Sequence, residues 1–189
     1  MKILLTLIVL FFSSLVVADE VSDFEIEGMS LGESLLDYMS KKEIEKNIVD
    51  FYDYIPNNKF LSVAYNSKSF QTYELLQITI KKNDSKFTIY GIGGIISDID
   101  IEECYKIQKK IDAKISEELN NPYKEGPTVI IHPADSSGMS QTNQITYLTD
   151  DGLVINNECY DFSKNVPYLD SFTVNHLTEE FNNFLLTVR

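Results

Sequence analysis

Hydrophobic and polar residues follow two rhythms along this chain, and the changes between them outline its elements. Leu76, Ile78 and Ile80 alternate with Gln77, Thr79 and Lys81, and a second apolar run, Phe87 to Ile96, follows Asn83-Asp84-Ser85. A period of two on both sides of a turn segment predicts a β-hairpin. The same signature returns where Ile145 to Leu148 and Leu153 to Tyr160 flank Asp150-Asp151-Gly152. Leu153, Ile155 and Cys159 then share one strand face with Asn157. Phe60 to Tyr65 reads as a strand after the breaker Pro56-Asn57-Asn58. Val129 to Ile131 reads as a short strand stopped by Pro133, with a Ser/Gly loop from Ala134 to Gln141.

The other rhythm is helical. Ile101, Cys104, Gln108, Ile111, Ile115 and Leu119 recur at steps of three and four, an amphipathic stripe with one polar member. Asp100 and Glu103 supply the start signal, and Asn120-Asn121-Pro122 the stop. Ser30 with Glu33 and Ser40 with Glu43 match capping boxes of two short helices, and Gly28-Met29 predicts a sharp turn ahead of the first. Thr178-Glu179-Glu180 opens a last helix in which Leu177, Phe181, Phe184, Leu185 and Val188 point inward. The fold class implied is α+β: a mainly antiparallel sheet covered by one long amphipathic helix, with two short N-terminal helices and a C-terminal helix. Gly91, Gly93 and Gly94 fall inside a strand and are followed by Ile95-Ile96, so they predict a bulge or close backbone approach. A dinucleotide loop would instead open a helix.

The first eighteen residues obey neither rhythm. Lys2 precedes the apolar run Ile3 to Phe12, broken only by Thr6; Ser13-Ser14 and Val16-Val17-Ala18 lead to the acids Asp19 and Glu20. That is the layout of a secretory signal peptide cut after Ala18, leaving residues 19–189 as a single domain in the periplasm or secreted. The run is too short and too interrupted for a bilayer span of roughly 20 apolar residues, so no stable membrane insertion is expected after cleavage.

Charge narrows the partners. The chain carries 29 acidic against 16 basic residues, a formal net charge of −13. Nucleic acid phosphates and anionic membrane surfaces both require a cationic face. Cys104 and Cys159 are the two thiols. Export permits a disulfide between them, and both fall on inward-looking positions; free buried thiols and a redox role are the alternatives, the last disfavoured by the absence of Cys-x-x-Cys.

Candidate chemistry is sparse. His132 and His176 lack metal-ligand spacing, and no cofactor is implied. His132, Asp135, Ser136 and Ser137 gather base, acid and nucleophile types in one loop, but no Gly-x-Ser-x-Gly elbow surrounds the serines, so a solvated loop is the simpler reading. Paired acids at 102–103, 150–151 and 179–180 are explained by helix starts and a turn. Asn83-Asp84-Ser85 would be a glycosylation acceptor if the exporting cell were eukaryotic.

The stretch from Phe24 to Leu36 (FEIEGMSLGESLL), with YGIGGII at 90–96, EECY at 102–105 and Cys159-Tyr160-Asp161-Phe162, resembles a group of small exported bacterial proteins of uncharacterised activity. The resemblance implies export and a paired cysteine, and no reaction. More distantly, a Gly-Met-Ser turn, short helices and antiparallel strands resemble the β-lactamase-inhibitor-like fold of envelope assembly factors, which implies protein binding through a sheet face. Those factors are usually lipoproteins, and the cysteine that a lipid anchor needs is missing here.

The expectation is therefore a non-catalytic binding or interaction module, its partner an envelope protein or a small ligand. The contact surface would be the sheet face opposite the long helix, edged by the loop from Pro133 to Gln141. The alternative is a hydrolase using His132 or His176 with a carboxylate or serine.

Overall fold

Both predicted hairpins close through turns whose chemistry explains them. In the computed structural model, which describes residues 24–49, 55, 58–119, 122–133 and 135–187, the first joins β3 (Leu75–Lys81) to β4 (Ile89–Ser97). Asn83 takes a positive φ of 64°, and the Asp84 carboxylate accepts from the backbone N–H groups of Lys86 and Thr88. The second joins β6 (Gln141–Leu148) to β7 (Val154–Asp161), with Gly152 at φ 82° and the Thr149 and Leu153 backbones bonded across the loop. The proposed leader, residues 1–18, lies outside the described residues, as do Pro56, Asn57, Asn120, Asn121, Ala134 and Val188.

With β1 (Ile48–Val49), β2 (Phe60–Tyr65), β5 (Tyr123–Ile131) and β8 (Ser171–Leu177), these strands form one antiparallel sheet in the order β1-β2-β3-β4-β8-β7-β6-β5. β8, unforeseen as a strand, enters the middle between β4 and β7. Phe172, Val174 and His176 face the core, while Thr173 and Asn175 face the other way. β5 is longer than expected. It lies at the sheet edge with every residue exposed, including Val129, Ile130 and Ile131.

One face of the sheet is closed. α2 (Ile101–Glu118), capped by Asp100, lays Cys104, Gln108, Ile111 and Ile115 onto β7 and β8. Cys104 and Cys159 are joined in a disulfide that ties this helix to the sheet. The N-terminal segment covers the rest of the same face with Phe24, Ile26, Met29, Leu31, Leu35 and Ile44. Glu27 and Gly28, both at positive φ, make its tight turn, bonded reciprocally between Ile26 and Met29. The two short helices fare differently. α1 (Lys41–Lys46) has its complete Ser40–Glu43 box, but the helix expected after Ser30 is a single 3-10 turn, Leu35–Asp37, capped by Ser34. Glu33 does bond the Ser30 N–H, yet Gly32 and Leu35 donate to Ile89 and Phe87, pulling the backbone onto β4 instead of into a helix.

Among the described residues, the opposite face is closed at one end only. α3 (Glu179–Leu186), capped by Thr178, sets Phe181 against Phe60, Val154 and Leu177 in a second apolar cluster. No helix among the described residues is long and apolar enough to cross a membrane.

Candidate functional site

The half-covered sheet face carries polar side chains because the period-two pattern assigns alternate residues to it. Register places Gln77, Gly93, Asn175, Asn156 and Thr146 side by side in one row across five strands, and Ile95, Thr173, Glu158 and Gln144 in the next. The members of these rows on β3, β4, β8 and β7 form the floor of a cleft of about 750 Å³. Leu177, Phe181 and Leu185 wall one end, and Tyr160, Phe162, Tyr168 and Leu169 the other.

The glycines of β4 shape the floor. A Cβ at Gly91 would lie 2.8 Å from the Phe181 ring, so its absence lets α3 sit flat on the strand. A Cβ at Gly93 would lie 2.6 Å from Asn175 Oδ1; the missing methyl lets that side chain lie along β4. Gly94 faces the core, where a Cβ would meet the Tyr73 ring at 2.7 Å. The β3–β4 register also shifts between Thr79 and Ile80. Close approach and an irregular register therefore account for the glycines.

At the centre lies Glu158, 8% exposed. Its Oε2 accepts from Tyr160 Oη at 3.0 Å, Asn175 Nδ2 at 3.2 Å and Thr173 Oγ1 at 3.3 Å. Beside it, Asn156 Oδ1 accepts from Gln144 Nε2 at 3.1 Å and Thr146 Oγ1 at 3.0 Å. These hydrogen bonds hold the floor in one arrangement.

None of the loop residues singled out from the sequence lines the cleft; they pack behind its aromatic wall. The Asp135 carboxylate accepts from the hydroxyls and backbone N–H groups of Ser137 and Ser140. Those hydroxyls, Ser137 first, hold its carboxyl well below the usual carboxylate range. Asp135 thus organises the loop, while Ser136 is exposed. The loop is pinned to the aromatic wall, since Ser140 Oγ accepts from the Ser163 N–H. His132 packs edge-on against Tyr160 and Phe162, with ring centroids 5.7 and 4.9 Å away. Burial lowers its pKa against the opposing pull of Asp135. Asp161, at the end of β7, is shifted up by burial and by Asp170.

His176 is elsewhere. It is fully buried on the core face, edge-on to Phe24 at 5.6 Å. Burial pushes its pKa down to about 4, outweighing opposing contributions from the Phe24 backbone and Asp151. The two histidines therefore share no site. Among the described residues, no group of three or more His, Cys, Asp or Glu is placed to hold a metal ion.

The central residues, Glu158, Thr173 and Asn175, were not singled out by motif. Their signal was the opposite phase of the strands whose apolar phase defines the core.

No protein-family model matches the chain, and no curated protein matches it. A solved structure of a mutant of protein Mog1 is similar at 10% identity, with a TM-score of 0.31, over 69% of this chain and 76% of that one. That similarity is too distant to inform function.

Proposed function

We propose that this protein is an exported, non-catalytic binding module that receives its ligand on the half-covered sheet face. The observation that carries this reading is the cleft itself, with a pre-bonded polar floor between two apolar walls and about 750 Å³ of space. Its volume lies in the range of small-molecule sites, and its floor is built on rigid strands.

The hydrolase alternative finds less support in the arrangement of the groups. A general base must reach the proton it abstracts. His176 is enclosed in the core, His132 sits against rings, and Asp135 is engaged by two serines. Export rests on the leader pattern, and the Cys104–Cys159 disulfide is compatible with an oxidising compartment.

The test is an amide-resolved NMR screen of the mature protein against a mixed fragment set. Shifts clustering on β4, β7 and β8 residues that face the cleft support the reading. Binders that cluster elsewhere, or none at millimolar concentration, overturn it. Intact mass of native material tests export, with the mature chain expected to begin at Asp19.

A further inference from the structure

We infer that β5 is a homodimer interface: its outer edge pairs antiparallel with β5 of a second copy, about a twofold axis through Ile130. β5 ends the sheet order on one side, and no described strand pairs with its outer edge. The His132 N–H donates to the Ser140 carbonyl at 2.8 Å, toward β6. Backbone groups alternate in direction along an antiparallel strand. Those of Ile130 and Thr128 therefore also turn to β6, and those of Val129 and Ile131 turn outward. Pro127 and Pro133, the next positions of the outward phase, have no N–H to offer. The edge thus presents two complete donor–acceptor residues bounded by prolines.

A second β5 fits this edge in one register. Pairing centred on Ile130 sets Val129 opposite Ile131 of the second copy, and Ile131 opposite its Val129, so each outward N–H meets an outward carbonyl. Moving the axis to Val129 or Ile131 sets a proline opposite one of these residues, whose carbonyl then finds no donor. The side chains make the same demand. Register with β6 and β7 puts Val129 and Ile131 on the helix side of the sheet and Ile130 on the cleft side. They are 58%, 65% and 43% exposed. A strand with one solvated face alternates apolar with polar residues. An added strand that suits this edge must be apolar on both faces, and β5 itself is.

Charge points the same way. The chain has a net charge of −13, yet residues 126–133 include no Asp, Glu, Lys or Arg. Two copies that repel over most of their surface can meet there without setting like charges opposite each other in the paired stretch. A twofold contact uses both outer edges at once, so assembly stops at two copies. β6 separates β5 from the cleft floor, and the cleft of each copy stays open.

The experiment is sedimentation equilibrium of the full mature protein from micromolar to millimolar concentration. The mass should rise to twice that of one chain, and added salt should strengthen association by screening the repulsion between acidic copies. Ile130→Lys sets two cations face to face on the axis and should return the mass to that of one chain. Leu36→Lys, at an exposed apolar site away from this edge, should leave the dimer unchanged. A second pair of variants applies even if Ile130→Lys folds poorly. Opposed residues of a pair without mutual hydrogen bonds lie about 4.5 Å apart at Cα, within reach of a disulfide. Ile130→Cys should therefore crosslink two chains under mild oxidation, and Val129→Cys, offset from its own copy, should not. A one-chain mass at every concentration overturns the inference, as does a dimer that Ile130→Lys leaves intact. A one-chain species whose Val129 and Ile131 amides resist exchange has its edge covered by its own chain, and overturns it too.

Discussion

Gln108 and Asn157 exchange hydrogen bonds across the helix–sheet interface. Gln108 Nε2 donates to the Asn157 carbonyl at 3.0 Å and to the Asn143 carbonyl at 2.9 Å, and Asn157 Nδ2 returns a bond to the Gln108 carbonyl at 2.9 Å. Gln108 is the polar member of the apolar stripe on α2, and Asn157 the polar member of the core face of β7. Each donates its side-chain amide to the other's backbone carbonyl, and together they fix where the helix docks. Gln108→Met keeps the volume but removes the donor, and should cost about 1–3 kcal/mol in urea unfolding. A variant as stable as the parent would mean that packing alone holds the helix.

One helical turn from Gln108, and two residues from Asn157, the disulfide clamps the same interface. Cys104 and Cys159 are 55 residues apart in sequence, so the bond removes chain entropy from the unfolded state worth at most roughly 4 kcal/mol. Reduced protein, or the Cys104→Ala/Cys159→Ala double variant, should unfold at a clearly lower urea midpoint. Coincident midpoints would show that the bond contributes nothing to stability.

Gly94→Ala tests the close approach on the core side. The new methyl would meet the Tyr73 ring, which is buried and parallel to Phe172 with 6.4 Å between centroids. Both rings are buried in the core, so the variant should lose about 1–3 kcal/mol of stability. Gly93→Ala meets the end of the Asn175 side chain instead. That group can rotate, so the expected outcome is a smaller loss of stability with displaced resonances around Glu158. Equal destabilisation by both would contradict this division of labour.

The contrast shows how far the sequence reaches. The strand rhythm located both hairpins, and the stripe on α2 located the core-facing cysteine, because each is a local pattern repeated several times. The 3-10 turn at Leu35–Asp37 escaped because its capping signal is real, yet backbone bonds to Ile89 and Phe87 compete with the helix. The glycines were legible as close approaches but not their partners, since Phe181, Asn175 and Tyr73 come from other elements. β8 was missed although Phe172, Val174 and His176 alternate with Thr173 and Asn175, because a buried histidine breaks the apolar phase. Glu158 was hidden for a related reason. An acid on that face of a strand looks in sequence like any solvated residue.

His176 also makes stability depend on pH, with a sign that the core position dictates. In the unfolded chain an imidazole titrates near 6.5, whereas burial pushes that of His176 down to about 4 in the folded protein. Between those values the unfolded state binds the extra proton, so acidification favours unfolding. The stabilising effect of keeping this histidine neutral is complete above about pH 6.5, is lost as pH falls toward 4, and is worth about 3 kcal/mol at most. Asp84 and Asp135, whose carboxyls are lowered by hydrogen bonds, act in the same direction but at more acid pH, below their ordinary value near 3.8. Urea midpoints should therefore hold between pH 7.5 and about 6.5 and fall from there to 4.5, and His176→Phe, which keeps a ring against Phe24, should flatten that fall. An unchanged slope in a folded His176→Phe variant would assign the acid sensitivity to His132, whose pKa burial also lowers, or to the carboxylates.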